Sequence, residues 1–425
     1  MSSVTWLPST DQRILYLIDD GHLTPDHVLR HAEAQSNAAR MVLSTHNAIG
    51  HGSGGRGAIA MDSKRAIGVI ASGLRSNRAE TLAVVRRADD RVGDRPGDES
   101  LDHRLDYAEK QADRPWQFCF ILGGGWRRAT TAADAARIAG ADITLAAVAI
   151  RQMASRDARP SRDELHSMLE DAGVTNVAAD EALSWLIRER LVVGTSDLRT
   201  PHQRFSSVVL GRILAGQDEV GRRAVGALLN SALTDSALPL AGLHFLLHEV
   251  RFLDQRYIWT GLVDPARLAP LLNRCWTVVS ADERMFAMLV LHELSGYIPG
   301  WPHSVLDGRY DVLAQWFSDP QEPSGYGIGR LTNAVREKDE QLANALIGAS
   351  DAEGVAATVS RASVATAYNL SEMLSFTGNS RPEAWKARFS AALDRQALVA
   401  LGLQLAERRI ALRLRQALPS VVLDR

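Results

Sequence analysis

The chain has 425 residues, long enough for about two to four domains with their own cores. A net charge of −2 excludes a global basic field for nucleic acid, and no apolar run reaches the roughly 20 residues that a membrane helix needs. The two cysteines, Cys119 and Cys275, sit in apolar surroundings without a signal-peptide pattern at the N-terminus, which predicts buried reduced thiols and a cytoplasmic protein.

The first element is a short apolar run, Ile14 to Ile18, that ends in Asp19-Asp20. A buried strand of this form delivers two carboxylates at its C-terminal end. One can hold Mg²⁺ and the other can orient an attacking water. A helix follows, with Thr24 as N-cap and Pro25 at its first position. A second run, Met41-Val42-Leu43, leads into Ser44-Thr45-His46. Strand, helix, strand over this distance predicts a parallel βαβ crossover. The phosphate-cradling loop G-x-x-x-x-G-K-[ST] is absent from the whole sequence. The expectation is an ATPase core that lacks its front half.

Five glycines between Gly50 and Gly57 form a flexible link, after which helical periodicity runs from Asp62 as N-cap to Asp89. A polar stretch over 89–99 and a helix over roughly 100–112 come next. Residues 114–126 then form a short buried apolar stretch that runs into Gly123-Gly124-Gly125, a turn expected to join strand and helix. Helices over roughly 142–155, 161–172 and 178–190 are followed by a hairpin of Leu191-Val192-Val193 and Leu198-Arg199-Thr200. Ser161 with Glu164 three residues on is a capping box. Three helices and a β-hairpin make a winged-helix domain. Beyond residue 202, helices are predicted over roughly 203–214, 218–235, 240–255, 266–275, 282–296, 304–317, 328–349, 352–362, 364–376, 383–393 and 396–417. They form an α-solenoid or irregular array without an exact repeat.

With these residues in view the chain resembles the STAND class of P-loop signalling ATPases, relatives of the AAA+ proteins that act in bacterial antiphage defence and in immune receptors. The family order is nucleotide-binding core, small helical domain, winged helix and repeat superstructure. The resemblance implies a mainly α protein with four parts. These are a remnant of a parallel α/β NTPase core over 1–48, a helical lid over 49–132, a winged-helix domain over 133–215 and an α-helical array over 216–425. Asp19 and Asp20 match the Walker B acids, with Asp19 as the Mg²⁺ ligand. Ser44-Thr45-His46 matches a sensor motif that often ends in Arg; here it ends in His46. Pro115 resembles the lid proline that packs near adenine, and His202, after Thr200-Pro201, resembles the winged-helix histidine that contacts the β-phosphate of ADP. ATP or ADP with Mg²⁺ is the implied cofactor of an intact relative.

The helical array is expected to bind a protein partner or a second copy, and no membrane. Glu181, Arg188, Glu189 and Arg190 on the third helix carry mixed charge, which ranks DNA binding by a winged-helix regulator second. A non-catalytic scaffold is the third reading. His244 and His248 share a helix face at i, i+4, but no third metal ligand is identifiable from the sequence, so a core or surface pair is expected. Cys119 has no neighbouring His or Asp to activate it. Arg408, Arg409, Arg413 and Arg415 form a basic run on the last predicted helix, a solvated face or partner contact.

Overall fold

The computed structural model describes strands Ile14–Ile18 and Arg40–Ser44 and most of residues 63–404. Outside the described residues lie 1–13, 19–39, 45–62, 113–114, 156–159, 195–197, 202, 253–260, 319–323, 364–366, 368–369, 372, 375–380 and 405–425.

The two apolar runs form β1 (Ile14–Ile18) and β2 (Arg40–Ser44). They pair in parallel, in register from Ile14 with Arg40 to Ile18 with Ser44. Parallel pairing puts the C-terminal ends of both strands on one edge.

Four helices follow: α1 (Ser63–Ser76), α2 (Arg78–Ala88), α3 (Leu101–Gln111) and α4 (Pro115–Leu122). They enclose a small core of Ile67, Ala71, Leu101, Leu105, Phe118 and Leu122. The continuous periodicity over 62–89 is broken in space at Asn77, whose backbone leaves the helical region. The corner is fixed by Thr81 Oγ1, which donates to the Leu74 carbonyl at 2.8 Å.

The stretch after Pro115 is a helix, not a strand. Proline at the first helical position costs no hydrogen bond and presets φ. The helical period turns Phe118 and Leu122 into the core and leaves Cys119 exposed, which corrects its predicted burial. The glycines therefore join two helices. Gly124 has φ +104 and is the N-cap of α5 (Gly125–Ile138). A Cβ there would lie 3.0 Å from Asp89 Oδ2 and 2.9 Å from the Arg128 Cβ.

From α5 onward one continuous apolar core takes over. Its axis is α6 (Asp142–Ser155), where all but two residues are buried. A helix apolar on every side must be surrounded. Around it pack α5, α7 (Arg162–Asp171), α8 (Asn176–Arg188), α9 (Gln203–Ala215), α10 (Glu219–Thr234) and α11 (Leu240–Phe252). The Ser161–Glu164 capping box at α7 is present as predicted. After α8, Val193 and Arg199 exchange backbone hydrogen bonds of 2.7 and 3.0 Å as an antiparallel bridge.

The array continues through α12 (Ala269–Trp276), α13 (Ala281–Glu293), α14 (His303–Leu306), α15 (Tyr310–Ser318) and α16 (Ser324–Lys338). It then runs through α17 (Glu340–Gly348), α18 (Ala352–Ser360), α19 (Glu383–Ala392) and α20 (Arg395–Gln404). Two predicted helices are each divided. The predicted helix over 304–317 breaks at Gly308 with φ +71, and that over 328–349 restarts at Asp339, whose side chain caps the Leu342 amide at 2.9 Å. Most of the predicted helix over 364–376 and the Arg408–Arg415 run lie outside the described residues.

Candidate anion-binding cleft

Of the residues singled out in the sequence, Asp19, Asp20, Thr45, His46 and His202 lie outside the described residues. Ser44 closes β2, opposite Ile18. Pro115 is the first residue of α4 and is half-buried.

A strongly charged cleft lies where α2, α5 and the end of α8 meet, with a volume of about 520 Å³. Its wall carries Arg86, Arg87, Arg91, Arg128, Arg188 and Arg190 against Asp89, Asp90 and Glu189. The half-buried ring of Trp185 lines one side. Local structure explains the convergence. Arg86 and Arg87 close the last turn of α2, where cations offset the helix dipole. Arg190 sits just past α8 with φ +57. That conformation lets its guanidinium turn back and donate to the Arg87 carbonyl at 3.0 Å. Arg128, one turn into α5, donates to the Arg190 carbonyl at 3.2 Å and lies over the Phe205 ring.

Charge within the cleft is unevenly compensated. Asp89 is buried and takes a two-pronged ion pair from Arg91 at 2.8 and 2.9 Å, with Arg104 on its other side at 3.1 Å. Burial alone would raise the Asp89 pKa. The Arg91 and Arg104 hydrogen bonds outweigh that and hold it at about 2. Arg104 also pairs with Glu99 at 2.5 Å and donates to the Leu122 carbonyl. Its charge is thus spent inside the α1–α4 unit. By contrast Arg87, Arg128 and Arg190 form no ion pair among the described residues. Burial, with Arg91 and Arg190 nearby, lowers the Arg128 pKa despite Asp89. A half-enclosed guanidinium without a carboxylate favours an anionic ligand, and phosphate oxygens match its planar donors.

The arginines come from three separate elements and form no motif; Arg188 and Arg190 stand out in the sequence only as part of a mixed-charge helix, and their meeting with Arg86, Arg87 and Arg128 is not legible there. A second cleft of about 610 Å³ lies on the far side of Arg104, lined by His103, Tyr107, Gln117 and Phe120, with Gly124 and Gly125 at its rim. Its polar groups are turned to each other: His103 and Arg104 both meet Glu99.

No family model, no curated protein and no solved structure matches this chain.

Proposed function

We propose that this chain is the switch and sensor portion of a nucleotide-dependent signalling protein of the STAND ATPase type, acting in defence signalling. The observation that carries the reading is the arginine cleft between the proposed helical lid, which contributes α2 and the first part of α5, and the proposed winged helix, which contributes α8. An anion there would be held from both sides at once: by Arg87 and Arg128 on the lid and by Arg190 on the other part. Its loss would leave like charges facing each other and favour separation. That is the two-state element a phosphate-driven switch requires.

The parallel β1–β2 pair supports the same reading. Strand ends that lead into Asp19-Asp20 and Thr45-His46 emerge at one edge, as in an NTPase core. Mg²⁺ with ATP or ADP would supply charge neutralisation at the phosphates; Asp19 would be the residue to hold the metal, and Pro115 and His202 those to contact the nucleotide, as the family resemblance implies. The helical array from α10 onward serves as sensor or partner-binding surface. The sequence contains no P-loop lysine, so no appreciable ATP turnover is expected of the chain.

The test is titration of the purified chain with ADP and ATP by calorimetry, with Trp fluorescence as a second signal from Trp185. Arg128→Ala and Arg190→Ala should each weaken binding by about tenfold, the effect of one lost charge-assisted contact. No binding by the wild type, or binding by both variants as tight as that of the wild type, would reject the reading. Sequence-specific DNA binding lost in Arg188→Ala and Arg190→Ala would establish the regulator instead.

A further inference from the structure

We propose that His244, His248 and Glu293 form a divalent transition-metal site, of the zinc class, that staples α11 to α13. The site lies in the helical array and is independent of the nucleotide reading.

His244 and His248 are one turn apart on α11 and project from the same face. Their rings lie 5.6 Å apart between centroids, with Phe286 of α13 against His244. The third group comes from α13, which packs along α11. Glu293 is 1% exposed, a depth at which a carboxylate needs a cation or several donors. Its Oε1 lies 2.8 Å from His248 Nδ1 and 3.9 Å from His244 Nε2. One ligand atom from each of the three residues falls within a 4.8 Å cluster.

Without an ion the 2.8 Å contact is a hydrogen bond between His248 and Glu293, which a metal would replace; the spacing of the three groups suits one. Zinc bonds to imidazole nitrogen and carboxylate oxygen of about 2.1 Å imply roughly 3.4 Å between neighbouring ligand atoms in a tetrahedral shell. The two Glu293–histidine distances lie on either side of that value, so small side-chain rotations would complete the shell. Two imidazoles and one carboxylate suit zinc, nickel, copper or iron(II) and disfavour magnesium and calcium. Both histidine side chains keep partial exposure, 20% and 33%, while Glu293 is sealed below, so an ion can enter from the solvent side. Three protein ligands leave a fourth position for water or a ligand from a partner.

A second observation comes from the next residue. His292 is 7% exposed, and its Nδ1 has no hydrogen-bond partner in the described geometry although it lies 3.4 Å from Glu293 Oε1. A buried imidazole nitrogen facing the same carboxylate marks a centre richer in donors than a helix–helix contact needs. His292 would stand behind the carboxylate, where it could orient Glu293 towards the ion.

The experiment uses the whole chain, stripped with a chelator and titrated with Co²⁺ as a coloured probe and then with Zn²⁺. One equivalent of Co²⁺ should give the d–d absorption of a four- or five-coordinate site, and one equivalent of Zn²⁺ should displace it. Zn²⁺ should also raise the unfolding temperature. His244→Ala and His248→Ala, both at partly exposed positions, should fold and lose at least tenfold in metal affinity. Glu293→Gln should lose the d–d signal as well; if it fails to fold, the two histidine variants decide alone. Absence of a visible cobalt band in the wild type, or a band that persists in the His244→Ala/His248→Ala double variant, would overturn the proposal. The other histidines, such as His166 beside Asp180 and His303 beside Asp339, would be unaffected by that double variant, so adventitious binding is distinguished.

Discussion

The α1–α4 unit and the helical array solve the same problem by different means. The small unit buries few large side chains, and beside its apolar core runs a charge network: Asp89 between Arg91 and Arg104, with Glu99 closing the ring. The array has one core that extends from α5 to α20, and its axis, α6, is built of Leu145, Ile150 and Met153 among alanines. A small core gains little from apolar burial, so paired charges fix how its helices meet, and removing one partner strands the other. A large core gains from every methylene but tolerates no change of volume. The two regions should therefore fail under different insults.

The strongest test of the contrast lies in the array. Gly242 of α11 sits against the α6 backbone, and a Cβ there would fall 1.7 Å from the Ala154 carbonyl oxygen. Backbone cannot yield as a flexible side chain can. Gly242→Ala should cost about 3 kcal/mol or prevent folding, and Leu145→Ala about 2–5 kcal/mol, both read by denaturant unfolding. If Gly242→Ala unfolds at wild-type denaturant, the close packing of α6 and α11 is wrong.

In the small unit Arg104→Met should cost about 3 kcal/mol by leaving the buried Asp89 and the half-buried Glu99 with less compensation. The same network predicts a pH dependence. Asp89 has a pKa of about 2 when folded against 3.8 as the reference value, so its stabilisation is complete above about pH 4 and is lost as pH falls towards 2. That loss amounts to about 2 kcal/mol. Amide exchange between pH 5 and 2.5 should show α1–α4 loosening before α6. In Arg104→Met this acid sensitivity should be weaker; equal sensitivity would take Asp89 out of the account.

A smaller effect separates the two thiols. Cys275 is fully buried in the array, and burial pushes its thiol up to about 12. Cys119 is exposed on α4. Native protein should lose one thiol to an alkylating reagent, at Cys119, and the second only on unfolding. At the low end, Arg75→Ala removes a half-exposed pairing with Asp106 and Glu109, and should change stability by roughly 0.5 kcal/mol or less.

What could be read in the sequence were features carried by neighbours along the chain. The apolar runs Ile14–Ile18 and Met41–Leu43 are short and joined by a span whose length suits a crossover, and they pair in parallel as read. The Ser161–Glu164 box and most helices after residue 202 follow from local capping and a period of 3.6, which need no tertiary partner. Misreadings arose where one pattern serves two folds. The stretch Pro115–Leu122 is apolar almost throughout, so periodicity could not tell strand from helix, and Cys119 took the wrong side. Helix breaks at Asn77, Gly308 and Asp339 went unseen because the apolar rhythm continues across them.

Tertiary structure alone decided where distant side chains meet. Glu293 reaches the pair His244 and His248 from another helix, 45 residues beyond His248, and no sequence window spans both. Arg87, Arg128 and Arg190 converge from α2, α5 and the end of α8. Sequence determined the elements here because caps, periods and turn residues act over a few bonds. The sites depend on which helix faces cross, and that is set by packing across the whole core.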